Sequence, residues 1–334
     1  MKMRFLSLAL ALALSITGTA FVADSYAAPK KIKVWTGNPE GDPILAGMKD
    51  AFKPFVEKES NGKYVVEIYP AMTLGASDSA FQGAQFGSIQ IVVDSVNNIG
   101  QFIPQFAAFD VPYLLPDEEK LERAFNSKAV EHLWTFAEKK GIKPLNVVLA
   151  TYRGILSTKP ILKLEDTKGV KDRTSSSKYH IAAMEALGFI PTPMAASEVL
   201  TAIQQGVVDS VDYEWHAFVN QRIVDVAKNL LLSDHLPVLY MAYTSSDWWD
   251  GLSKADREMF SNALEVYRQH VINIYKERNS QVLETMAKDF GVTISRLSPE
   301  EKARWIEASK ASLKSFPADI AALAEEIRAA GEGK

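Results

Sequence analysis

Short apolar runs alternate with stretches whose apolar residues recur at every third or fourth position, from about residue 30 almost to the C-terminus. That rhythm predicts strands alternating with amphipathic helices, the pattern of an α/β protein. Ile32–Trp35, Tyr64–Tyr69 and Ile89–Val93 read as strands, and the last is apolar enough to be buried on both faces. Asp42-Pro43 opens a helix, with Asp as N-cap and Pro at the first helical position. Leu45, Met48, Phe52 and Phe55 fall on one face of it. Ser77 is placed to cap a helix over 78–86. Lys128–Lys140 reads as a helix stopped by Gly141, and Leu145–Ala150 follows as a buried strand.

The rhythm repeats beyond residue 150. Gly154–Ser157 and Val170–Thr174 read as strands, and Tyr179–Leu187 as a helix ended by Gly188. Ser197 caps Glu198–Gln205, which Gly206 stops; a short strand then ends in Asp212, Tyr213 and Trp215. Val238–Ser246 is a long apolar strand. Lys254–Phe290 has the spacing of one continuous helix, with Ser253 and Asp256 as a capping pair. At ~1.5 Å per residue it would run roughly 55 Å, enough to brace two lobes. Apolar residues thin out at Lys276–Ser280, which leaves open a break into two helices. Ser298-Pro299-Glu300-Glu301 starts a final helix.

The N-terminus changes the picture. Lys2 and Arg4 precede the apolar run Phe5–Ile16, and Ser25-Tyr26-Ala27 is a small-x-small cleavage site, so 1–28 read as a secretory signal cut after Ala27 or Ala28. About 306 residues would remain, room for two domains or one large one. The chain has no cysteine, so an exported product relies on its core alone, as suits a bacterial periplasmic protein. The net charge is −4 at pH 7, and there is no basic run, which argues against nucleic acid or an anionic membrane as partner. No later stretch reaches the ~20 apolar residues of a membrane span, so no direct membrane insertion is expected.

Nothing in the chain asks for chemistry. The five histidines lack metal-ligand spacing, and the glycine-rich phosphate loops and nucleophile elbows are absent. Paired carboxylates remain open, since 41 acidic residues allow many pairings in space. Arg153 and Arg173 stand twenty residues apart at strand–loop boundaries. A guanidinium fork matches a carboxylate bidentately and keeps its charge at any physiological pH. Either arginine could hold a ligand carboxylate, or make an ordinary ion pair, with Asp166 or Asp172 beside Arg173. Tyr213 and Trp215 could wall a pocket or pack in the core. Trp35 and Asn38 follow the first strand, and Asp94 and Ser95 end the third. Ligands in open α/β sheets sit outside the carboxyl ends of strands, so all four are candidates.

Taken in order, S-N-G-K-Y-V-V-E-I-Y-P-A-M-T-L-G, G-S-I-Q-I-V-V-D, F-D-V-P-Y-L, Y-R-G-I-L-S-T-K-P-I, L-E-D-T-K-G-V-K-D-R, G-F-I-P-T-P-M and S-E-V-L-T-A-I-Q-Q-G-V-V-D-S make a spaced series over nearly the whole mature chain. Together with the long late helix, it resembles the periplasmic solute receptor of tripartite ATP-independent periplasmic (TRAP) transporters, the DctP family. The resemblance implies a two-lobed, type II-like periplasmic-binding-protein fold with hinge strands and a long bracing helix. Lobe I would be 29–150 plus about 238–275, and lobe II 151–237 plus about 276–334. It implies that Arg173, in the G-x-K-x-R position, salt-bridges the substrate carboxylate, and that Arg153 approaches the same group. It implies a small organic acid ligand, membrane permease subunits as partners, a periplasmic location, no enzymatic activity and no cofactor.

The departures carry information. Ser210 stands where many members have Gly, and Asp212-Tyr213-Glu214 where many have Glu-Asn-Pro. An aromatic in place of a small amide favours an apolar or aromatic monocarboxylate over a dicarboxylate or sugar acid. Asp212-Tyr213 faintly resembles an acid–aromatic pair that, in another branch, accompanies a bound metal, which makes Asp212 a metal candidate. Asp172 either points outward or holds the arginine fork. Two other readings stand beside the receptor: a binding protein for another importer or a sensor, and an exported hydrolase using two carboxylates.

Overall fold

A computed structural model describes residues 28–334; the leader and the cleavage site after Ala27 belong to the stretch outside the described residues. The strands are β1 Lys30–Thr36, β2 Tyr64–Tyr69, β3 Ile91–Ser95, β4 Ile142–Ser157, β5 Lys171–Thr174, β6 Ile190–Pro193, β7 Ser210–Glu214, β8 Asn229–Leu232, β9 Pro237–Ser245 and β10 Thr293–Arg296. They follow the order β2-β1-β3-β9-β4-β7-β5-β6, with β8 on the far end of β4 and β10 on β8. The protein is an α/β structure of two lobes, each with helices on its sheet.

β4 joins them. The sequence suggests two strands here, Leu145–Ala150 and Gly154–Ser157, but no turn residue separates them, and Thr151, Tyr152 and Arg153 continue the extended run. Its first part pairs antiparallel with β9 through Tyr152↔Pro237, with register shifts after Pro144 and Leu149. Its second part pairs with β7 from Arg153↔Glu214 onward and with β8 from Ile155↔Leu231. Arg153 therefore sits where the strand passes from one lobe to the other.

The late helix is unbroken over Lys254–Lys288, 35 residues, or about 52 Å. Ser253 caps it by accepting from the Asp256 amide at 3.1 Å. Phe260, Leu264, Tyr267 and Val271 enter the core of the first lobe, and Val282 and Met286 enter that of the second. The gap in its apolar pattern is the crossing between two cores, where Asn279 donates to the Ala150 carbonyl at 3.1 Å.

Two segments depart from the sequence reading. The closing helix Ala318–Gly331 places Ile320, Leu323, Ala324 and Ile327 in the first lobe's core, not the second's. Tyr113, from the first lobe's sequence, packs with Trp305 and Leu231 in the second and donates to the Ser233 carbonyl at 3.1 Å.

The first helix begins as the Asp42-Pro43 pair predicts, with Asp42 accepting from the Ile44 amide at 2.8 Å. Gly47 on that helix lies against the long helix. A Cβ at 47 would stand 2.3 Å from Val271 Cγ2 and 2.9 Å from Tyr267 Cδ2. Gly47→Ala should therefore destabilise the protein by about 1–3 kcal/mol through overpacking. Urea denaturation tests this, and an unchanged midpoint would refute so close an approach.

Candidate functional site

Between the lobes lies a cleft of about 670 Å³. From the first lobe it is lined by Ser95, Asn97 and Asp110, and from the second by Ser175, His180 and Tyr213; Arg153, Glu214 and Tyr240 also face it.

Beneath its wall is a buried polar cluster centred on Asp212, which ends the apolar part of β7 and is fully buried. Arg153 donates from Nε to both carboxylate oxygens, at 3.0 and 2.9 Å, and from Nη2 to Oδ1 at 2.5 Å and to the Asp212 carbonyl at 2.8 Å. His235 Nε2 contacts Oδ2 at 2.7 Å, and His180 Nε2 lies 2.9 Å from Oδ1 without the alignment of a hydrogen bond. Burial alone would raise the Asp212 pKa; the Arg153 charge and the two histidines more than offset it and hold the carboxyl well below the usual range. Burial pushes the His180 pKa down, favouring the neutral ring.

This geometry bears on two expectations. Arg153 lines the cleft with its Nε and Nη2 donors turned to Asp212, while its Nη1 makes no hydrogen bond among the described residues. Asp212 stands with His180 and His235 in a group whose potential ligand atoms all lie within 4.8 Å of one another, but their placement is that of hydrogen bonds. Ligands held ~2.1 Å from one tetrahedral ion stand farther apart than the 2.7 Å between His235 and Asp212, and Arg153 already occupies both oxygens.

Arg173, on β5, is different. It is 5% exposed, and its Nε and Nη2 donate to the Met194 carbonyl at 3.2 and 2.8 Å. Its guanidinium carbon lies 4.7 Å from the centre of the Tyr213 ring, while that of Arg153 lies 5.7 Å away. Among the described residues Arg173 has no carboxylate partner. Asp166 accepts instead from the Leu162 and Lys163 amides. Asp172 points to the opposite side of β5, is fully buried, and accepts from Ser210 Oγ at 2.6 Å. The two residues that depart from the family pattern at 172 and 210 are thus opposite one another in the β5–β7 pairing and bonded.

Two tryptophans do not reach the cleft. Trp35 is fully buried in the first lobe's core, where its indole donates to the Gly75 carbonyl at 3.1 Å. Trp215 starts the helix Trp215–Asn220 and lines a separate cavity against the long helix. Its indole nitrogen lies 3.3 Å from where a Cβ on Gly154 would be, so that glycine makes room for it. Ser95 is on the cleft wall. Asp94 lies behind it, accepting from the Ser95 amide at 2.8 Å and Asn98 Nδ2 at 2.9 Å. Asn38 supports the wall by donating to the Tyr240 hydroxyl at 3.3 Å.

The sequence did not single out Asp110, His180, His235, Glu214 or Tyr240 for the site. Asp110 and Glu214 stand inside quoted motifs, but nothing in their spacing shows that they meet. Burial raises both carboxyls, Asp110 to about 7, against the opposing pull of Arg153.

The description "DctP: Bacterial extracellular solute-binding protein, family 7" matches residues 36–319. A C4-dicarboxylate-binding periplasmic protein DctP of Rhodobacter capsulatus is 32% identical over 258 residues, 77% of each chain. A TRAP periplasmic solute-binding protein of Ochrobactrum anthropi, whose C-terminus is bound in its ligand-binding pocket, superposes with a TM-score of 0.85 at 26% identity, covering 91% of this chain and 95% of that one. Another from Haemophilus influenzae, with bound L-gulonate, gives 0.75 at 26% identity over 90% of this chain and 99% of that one.

The Asp172 carboxyl is raised well above its usual value by burial and then by the Asp212 charge. Below pH ~4 it is protonated whether the chain is folded or not. As pH rises past that value the unfolded chain loses this proton while the folded one keeps it, so stability falls with rising pH. Asp172→Asn removes this fall. Urea titrations should show the variant gaining on the native protein from pH 4 to pH 8; a pH-independent difference would refute the buried neutral carboxyl.

Proposed function

The chain belongs to bacterial extracellular solute-binding protein family 7, the DctP family, and on that premise we propose that it captures an organic acid anion between its lobes by means of Arg173 and delivers it to a TRAP permease. The family consists of solute-binding receptors, and among the described residues no helix is long and apolar enough to cross a membrane, so translocation falls to membrane partners. A periplasmic location accords with the family and with the leader read from 1–28.

One observation supports the reading above the rest. Arg173 is buried against Tyr213, a residue of the cleft wall, with only a carbonyl and that aromatic face for company. A buried charge is expensive unless paired, and a guest carboxylate is the natural complement of a guanidinium fork. Closure of the lobes would exclude water and strengthen that bond, and the guest's higher affinity for the closed form would drive the closure. Arg153 and Asp212 together are neutral and form the fixed floor on which Tyr213 lies.

Ligands do not transfer from the relatives by name. The Rhodobacter receptor is named for C4-dicarboxylates and the Haemophilus one was solved with L-gulonate. Here Tyr213 occupies the cleft wall and stacks on the arginine, which favours a monocarboxylate with an apolar or aromatic portion.

Arg173→Ala should keep its circular dichroism spectrum and lose about 2–5 kcal/mol of binding free energy, the scale for removing one partner of a buried charge pair. Equal affinity by calorimetry for a folded variant would end the clamp assignment. Tyr213→Ala should change the ranking of acids in a thermal-shift panel; an unaltered ranking would show that the ring has no part in selection.

A further inference from the structure

We propose that the guest is a zwitterion, with one carboxylate for Arg173 and a cationic group at the end of the cleft that presents Glu214 and Asp110. The inference deepens the receptor reading and rests on it.

The balance of charge around the cleft carries the argument. Arg153 is cancelled by Asp212, and Lys178 is an exposed residue of the rim. That leaves Arg173 as the buried cation without a counter-ion among the described residues. Against it stand two carboxyls on the cleft wall. Glu214 makes no side-chain hydrogen bond and no ion pair among the described residues, although it is half-buried and its backbone is fixed opposite Arg153. Asp110 has a single neutral donor, Asn97 Nδ2 at 2.7 Å. Burial that raises both carboxyls would be reversed by a cation placed between the lobes.

A dicarboxylate fits this arrangement badly. With one end on Arg173, its other charge would face Glu214 and Asp110, whose carboxyls, already raised by burial, would have to take up protons to receive it. A neutral hydroxyl could donate to either carboxyl but would leave the charge unbalanced. An ammonium or similar cation satisfies both. Arg173 lies 4.7 Å from the centre of the Tyr213 ring, and Glu214 follows Tyr213 directly at the end of β7, where both line the cleft.

The test uses the full mature protein, stripped of cargo by denaturation and refolded. Straight-chain acids of graded length are offered in three matched forms, ω-amino, ω-hydroxy and ω-carboxy, first by thermal shift and then by calorimetry. At least one ω-amino acid should bind about tenfold or more tighter than both its counterparts, and Glu214→Gln should reduce that ratio at least about tenfold. Preference for a dicarboxylate or a hydroxy acid, failure of every ω-amino acid to bind, or an unchanged ratio in Glu214→Gln would overturn the proposal. An acid other than a zwitterion that still depends on Arg173 would sink this inference alone, whereas binding indifferent to Arg173→Ala would sink the receptor reading itself.

Discussion

The bond between Arg153 and Asp212 is the constraint around which the site is arranged. Asp212 is wholly removed from water, and a carboxylate there is tolerable only because a guanidinium and a histidine complete its coordination. The partners come from separate parts of the chain: Arg153 from β4 at the crossing between lobes, His180 from the helix Lys178–Ala186, and His235 from the segment leading into β9. The same segment is tied by backbone bonds, with Arg153 donating to the Leu236 carbonyl at 2.9 Å and Tyr113 to the His235 carbonyl at 2.8 Å. One carboxylate therefore fixes the hinge end of β4, the direction of β7 and the floor of the cleft.

That arrangement divides labour between two arginines that look alike in sequence. Arg153 spends Nε and Nη2 inside the protein, and its charge is balanced by Asp212. Arg173 keeps its charge without a carboxylate and lies against Tyr213. Neighbouring strands hold the difference in place. Asp172 and Ser210, bonded on the far side of β5 and β7, direct that carboxyl away from Arg173. The aromatic ring lies against both guanidinium groups, so any change at residue 213 is felt by both arginines.

Few elements cross between the lobes. β4 crosses as a single strand, β9 begins at the crossing, and the long helix spans it with its apolar face thinned. That helix seats Phe260 and Tyr267 in one core and Met286 in the other, which ties the lobes together. The return of Ala318–Gly331 to the first lobe adds a further tie.

The sequence by itself determined the α/β rhythm, the caps at Asp42, Ser253 and Ser298, the long helix and the family, because these depend on local periodicity, local hydrogen bonds and ordered motifs. It also brought Arg173 and Tyr213 forward as candidates, since residue type and position at strand ends are written in the chain. Only the tertiary structure decided that 142–157 is one strand, that Trp35 and Trp215 lie away from the cleft, and that Asp212 meets Arg153. It alone brought Asp110 and Glu214 to one cleft. The physical reason is that desolvation and charge pairing are set by neighbours in space. Asp212, His180 and His235 are up to 55 residues apart in the chain yet share one carboxylate, and no spacing rule announces such a meeting.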